Sequence, residues 1–148
     1  MSVLVADSGF ATDDWASNGG MFVDLEKFGQ DTAEKVPEKT CLDIPNDVSA
    51  DSLTGLFENV AMIRIPFPSF ADGRGFSIAQ RLRDIGYRGR LRAVGHVLAD
   101  QYGFARACGF DEVEIDDALA ARQPEEQWLA RIPTPETSYQ HKWLGTRA

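Results

Sequence analysis

The stretch richest in chemistry is Asp72-Gly73-Arg74-Gly75. Its glycines allow a tight turn with positive φ. It runs directly into a helical pattern, where free amides and the helix dipole favour an anion. Arg74 could add a two-pronged clamp for a phosphate- or sulfate-like group, and Ser77 follows on the same face. The structural alternative is that Asp72 caps the helix while Arg74 pairs with Asp116 or Asp100. The turn is not a P-loop, because the GK[ST] ending is absent. It is not a dinucleotide fingerprint either, because the third glycine would have to stand where Ile78 does.

His96, after Gly95, has the right unperturbed pKa for a general acid or base. Asp72 is the other candidate for that role. No Ser or Cys is placed to partner His96, so a nucleophilic triad is unsupported, and capping the next helix is its structural alternative. Arg92 lies within a strand pattern; on a buried face it would need a carboxylate, with Glu114 or Asp116 the natural candidates. Asp100 and Gln101 open a second helical pattern, where an acid suits the dipole. Cys41, Cys108, His96 and His141 are too few and too scattered for a zinc or iron–sulfur site. The two cysteines read as reduced residues in or near the core. No metal and no cofactor is expected.

The elements that must position these residues alternate between two periods. Residues 61–67 read as a strand covered on both faces, with Met62, Ile63 and Ile65 nearly continuous. Residues 75–85 read as a helix, with Ile78, Leu82 and Ile85 inward, Arg81, Arg83 and Asp84 outward, and Gly86 as its stop. Arg90 to Val94 reads as a strand with Leu91, Ala93 and Val94 inward. A helix over about 97–108 puts Val97, Phe104 and Cys108 on one stripe and ends at Gly109. Val113 and Ile115 mark another strand. Upstream, residues 40–44 make a strand ended by Pro45, and Ser49 is placed to cap a helix over about 50–58 through Leu53, Leu56 and Phe57. Residues 1–40 read as irregular, with short strands near Val3–Val5 and Met21–Val23, a helical turn over 24–29 and a polar stretch over 29–38. Beyond Asp117 a helix containing Leu119 is interrupted by Pro124, and Trp128, Leu129 and Ile132 anchor a shorter one. Residues 133–148 form a tail without periodicity.

Helices of about eleven residues between strands of about five imply an α/β fold: a small parallel βαβαβ core of three to four βα units, as an open sheet or partial barrel. The domain reading is one domain over 1–148, with the core at 41–132. In either architecture ligands bind beyond the strand carboxyl ends. Those ends are the loop from Pro68 to Gly75, Gly95-His96, and Asp116-Asp117, and the topology brings them to one edge.

Composition narrows the partners. The 148 residues carry a formal charge of -8, with 43% hydrophobic and 10% aromatic residues. An acidic chain is no nucleic-acid binder and no polybasic membrane-surface protein. No apolar run approaches the roughly 18 residues of a spanning helix, and the N-terminus lacks the basic region of a signal peptide. A cytoplasmic protein is expected.

Phe70, Asp72 to Ser77, Ala79 and Leu82-Arg83 follow the pattern F-x-DGRG-[FY]-S-x-A-x-x-LR. Gly86-Tyr87, Gly89, Leu91 to Ala93, Gly95, Val97-Leu98 and Asp100-Gln101 follow G-[FY]-x-G-x-LRA-x-G-x-V-L-x-DQ. Arg106 and Cys108 to Asp111 follow R-x-CGFD. In this block, roughly residues 60–116, the chain resembles the bacterial family of unknown function DUF934. One position departs, since the family commonly has Asp where His96 stands. The resemblance implies a setting in assimilatory sulfite reduction, because members are usually encoded beside sulfite reductase and are often labelled probable oxidoreductases of that pathway.

Three readings follow. The first is an accessory of sulfite or sulfate reduction that binds a small sulfur oxyanion, or a partner such as sulfite reductase. Its binding face would be Asp72, Gly73, Arg74, Gly75, Ser77, Arg92, His96, Asp100 and Gln101. The second is a small metal-free enzyme using His96 or Asp72 for acid–base chemistry. The third is a non-catalytic homodimeric interaction protein.

Overall fold

The computed structural model describes residues 2–12, 14–17, 21–25 and 40–132. Its strands are β1 (Ser2–Ala6), β2 (Gly9–Ala11), β3 (Met21–Asp24), β4 (Thr40–Asp43), β5 (Met62–Phe67), β6 (Arg90–Gly95) and β7 (Glu112–Asp116). They form one seven-stranded sheet in the order β2-β1-β7-β6-β5-β4-β3. From β3 to β7 the strands are parallel and adjacent in chain order. The hairpin of β1 and β2 adds to β7 in the antiparallel sense. The N-terminal strands thus extend the sheet at both edges. The helices are α1 (Asp14–Ser17), α2 (Arg74–Asp84), α3 (Tyr102–Cys108), α4 (Asp117–Arg122) and α5 (Glu125–Leu129), with 3-10 segments at Ala50–Asn59 and Ala99–Gln101.

The mostly parallel open sheet is the α/β arrangement that the alternating periods imply. Right-handed crossovers between the strands from β4 to β7 put their connections on one face. The period-two alternation of each strand then sorts its side chains. Toward the helices point Leu42, Ile63, Ile65, Leu91, Ala93 and Val113, packed with Leu53, Leu82, Tyr102 and Trp128. Fully burying one large side chain of this kind contributes about 1.5–3 kcal/mol, so this face holds the fold together. The opposite face carries a small cluster of Trp15, Cys41 and Met62, followed by Asp43, Arg64, Arg92 and Glu112 in register.

Several local expectations are corrected. The segment expected as a helix over about 50–58 is 3-10, and Ser49 makes no side-chain cap. Ser52 Oγ donates to the Ser49 carbonyl at 2.6 Å and Thr54 Oγ1 to that of Asp51 at 3.3 Å. Such local side-chain bonds compete with the α-helical ladder. The helix expected over 97–108 starts late, with a 3-10 turn before α3. That start shifts its phase: Tyr102, Ala105 and Cys108 are buried, while Phe104 is 59% exposed. Arg83, expected outward, has a side chain only 9% exposed. It donates to the carbonyls of Tyr87, Gly89 and Gly109 and to Asp111, tying the end of α2 to two loops. Val94, expected inward, shares the face of Arg92, two residues before it.

Residues 26–39, which include most of the expected helical turn and the polar stretch, lie outside the described residues, as does the tail 133–148. Among the described residues no helix is long and apolar enough to cross a membrane.

Candidate functional site

The DGRG turn joins the end of β5 to α2 and is closed on itself. Asp72 accepts the Arg74 amide at 3.1 Å and both prongs of its guanidinium at 3.1 and 2.9 Å. Asn46 Nδ2 adds a fourth hydrogen bond at 2.8 Å. The Arg74 guanidinium and amide hold the Asp72 carboxyl down at about 2. Arg74 therefore pairs with Asp72, and neither with Asp116 nor with Asp100; Asp100 instead meets Arg131 at 2.8 Å. The expected positive φ is absent: Gly73 has φ -93, and Gly75 is not among the residues with positive φ. Gly75 serves packing, since a Cβ there would lie 2.5 Å from the Phe67 ring. Ser77 is exposed on α2.

The loop after β6 is seated on the loop after β5. The His96 amide donates to the Phe67 carbonyl at 2.9 Å, and its Nδ1 lies 3.2 Å from the same oxygen. The imidazole meets the Phe70 ring edge-on, with centroids 5.0 Å apart. Gly95 makes this approach feasible. Its φ is +114, and a Cβ would lie 2.7 Å from the Phe67 carbonyl oxygen. Gln101 completes the clamp: its Oε1 accepts the Leu98 amide at 2.8 Å and its Nε2 donates to the Phe70 carbonyl at 3.1 Å.

Arg92 stands apart from these loops, on the sheet face opposite the main helices, with a side chain 0% exposed. Its Nε donates to Glu112 Oε2 at 2.5 Å and its Nη1 to Glu114 Oε1 at 3.0 Å. Arg64 also reaches Glu114 Oε1, at 3.2 Å, and forks onto Asp43 at 2.6 and 2.8 Å. Its guanidinium lies 4.2 Å from the centre of the Phe22 ring. Arg90 forks onto Glu112 at 2.7 and 2.9 Å and reaches Asp14 at 2.9 Å. Glu114 was an expected partner of Arg92, Asp116 is not one, and Glu112 was missed. The signal was available: Arg90 and Arg92 alternate on one strand, and Glu112 and Glu114 on another, with the period of a shared face.

Where this network reaches the carboxyl edge a cleft opens, about 180 Å³ in volume. His96 and Phe70 form part of its wall; Glu114, Asp116, Arg122 and Ser2 also line it. Ser2 arrives because β1 runs antiparallel to β7 and pairs it with Asp116. Asp116 also caps α4, its Oδ1 accepting the Leu119 amide at 2.7 Å. Of the residues singled out from the sequence, His96 lines the cleft and Arg92 touches it through Glu114. Gln101 fixes its Phe70 wall, whereas Asp72 and Arg74 pair with each other, Asp100 pairs with Arg131 and Ser77 lies exposed on α2. A strand end at Asp116 was legible; Ser2, Phe70, Glu114 and Arg122 as neighbours were not, because strand pairing leaves no trace in one chain's periodicity.

A family model described as a bacterial protein of unknown function, DUF934, matches residues 41–148. No curated protein and no solved structure matches the chain.

Proposed function

The chain belongs to the DUF934 family, and we propose that it is a binding accessory of assimilatory sulfite and sulfate reduction that takes a small oxyanion in the strand-end cleft. The observation that carries this is the cleft itself, where Arg122 and His96 line one cavity. A guanidinium is suited to oxyanions. The DGRG turn is a weaker receptor, because Asp72 already occupies Arg74.

Size supports a small oxyanion ligand over a nucleotide sulfate. A cavity of about 180 Å³ has the room of about six waters at roughly 30 Å³ each. Sites for larger ligands run to about 300–1,000 Å³. The sulfur setting, the cytoplasmic location and sulfite reductase as partner come from the family resemblance and the composition. The acid–base reading has less support, because the ring contacts of His96 are the Phe67 carbonyl and the Phe70 ring. A homodimer would draw on exposed apolar surface such as Phe104.

The test is a thermal-shift panel of sulfite, sulfate, phosphate and nucleotide sulfates on the wild type, Arg122→Ala and Arg74→Ala. An anion at 100 times its dissociation constant stabilises by about 2.7 kcal/mol. The expected result is a shift with sulfite or sulfate that survives Arg74→Ala and is lost in Arg122→Ala. Loss in Arg74→Ala alone would move the site to the DGRG turn, and no shift with any anion would remove the small-ligand reading.

A further inference from the structure

We propose that the ligand of this cleft carries an ammonium group as well as an oxyanion, and is a small zwitterion in place of a bare anion. The inference rests on the preceding reading of the cleft and adds the class of molecule that fits it. The lining carries both signs of charge, with Arg122 on one hand and Asp116 and Glu114 on the other.

The two carboxylates are not equivalent. Glu114 is matched by Arg92 at 3.0 Å and Arg64 at 3.2 Å, both on Oε1. Asp116 is bonded through Oδ1 to a backbone amide, a neutral donor that leaves its charge uncompensated. Among the described residues neither Asp116 nor Arg122 takes part in an ion pair. They stand at opposite ends of α4, as its N-cap and its last residue. A bare dianion such as sulfate would be drawn to Arg122 and repelled by Asp116. A molecule with an ammonium at one end and an oxyanion at the other satisfies both. Its short carbon spacer would lie against Phe70 and Leu119, which supply apolar wall between the charges. The volume of about 180 Å³ holds a two-carbon spacer with both head groups, and a bare oxyanion would leave part of it to water.

The oxyanion head could be a carboxylate or a sulfonate, so the probes separate the two. Taurine and β-alanine share a frame and differ in that head. Isethionate keeps the sulfonate and replaces the ammonium by a hydroxyl. Thermal shift and calorimetry are run with each, and with sulfite, on the wild type, Arg122→Gln and Asp116→Asn. Asparagine is as good an N-cap as aspartate, so Asp116→Asn removes the charge and keeps the cap; the melting temperature without ligand verifies folding. We expect taurine or β-alanine to bind and isethionate to bind about tenfold more weakly, the cost of one charged hydrogen bond. Asp116→Asn should abolish the preference for taurine over isethionate, which a purely structural role would not do. Isethionate binding as tightly as taurine would overturn the inference. Sulfite binding with neither zwitterion would overturn it and leave the oxyanion reading standing, whereas no binding of any probe would remove both.

Discussion

Arg92 is charged, fully buried and held between Glu112 and Glu114. Its removal would leave Glu112 to Arg90 alone and Glu114 to Arg64 alone, and taking the buried partner from such a set costs up to about 3–5 kcal/mol. Arg92→Ala should therefore lose stability of that order in urea denaturation; a loss below about 1 kcal/mol would mean that water reaches the glutamates. Asp72 makes the opposite case, an exposed pair read by titration. Its folded value of about 2 lies below the ordinary 3.8. The stabilisation is present above the unfolded value and is lost as pH falls through the folded one. Carboxyl chemical shifts should follow this fall, and Arg74→Gln should return Asp72 toward 3.8. The thiols give a third prediction. Burial pushes Cys41 up to about 12 and Cys108 up to about 11. Both should react slowly with a disulfide reagent at pH 8 and readily once the chain is unfolded; fast modification of the folded protein would contradict their burial. The need of Arg92 for a carboxylate was legible in its strand position. The self-pairing of Arg74 was not, because a turn's internal hydrogen bonds depend on side-chain directions that spacing does not specify.

The glycine at the start of α2 shows how an element is set. Replacing a helical glycine by alanine ordinarily stabilises by about 1 kcal/mol. At Gly75 the added methyl would meet the Phe67 ring at 2.5 Å, and overpacking costs about 1–3 kcal/mol. The clash wins, so Gly75→Ala should lower the melting temperature. Gly55→Ala, whose methyl meets nothing, should be neutral or mildly stabilising; equal effects at the two sites would refute the packing role of Gly75. The strands β5, β6 and β7 and the helix α2 were legible because each keeps one period throughout. The 3-10 character of Ala50–Asn59 was not, because Ser52 and Thr54 divert carbonyls that an apolar pattern does not register. The same holds for the phase of α3, which the 3-10 turn at Ala99–Gln101 resets and which leaves Phe104 exposed.

Across the molecule, the consecutive order of β3 to β7 divides the sheet into an apolar face under the helices and a charged face opposite. The cleft opens where the charged face meets the carboxyl edge and where β1 brings Ser2 to Asp116. The parallel core was legible from alternating periods, and the edge where the cleft opens followed from topology. The antiparallel return of β1 was not, since nothing in its few residues names β7 as partner. The central claim is that this cleft, and not the DGRG turn, receives the ligand. The most direct test follows backbone amide shifts of the labelled protein during titration with sulfite. The account predicts that the changes centre on Gly95, His96 and the Asp116–Arg122 segment, with Gly73 to Gly75 unmoved. Changes centred on the DGRG turn, or none at millimolar sulfite, would contradict it.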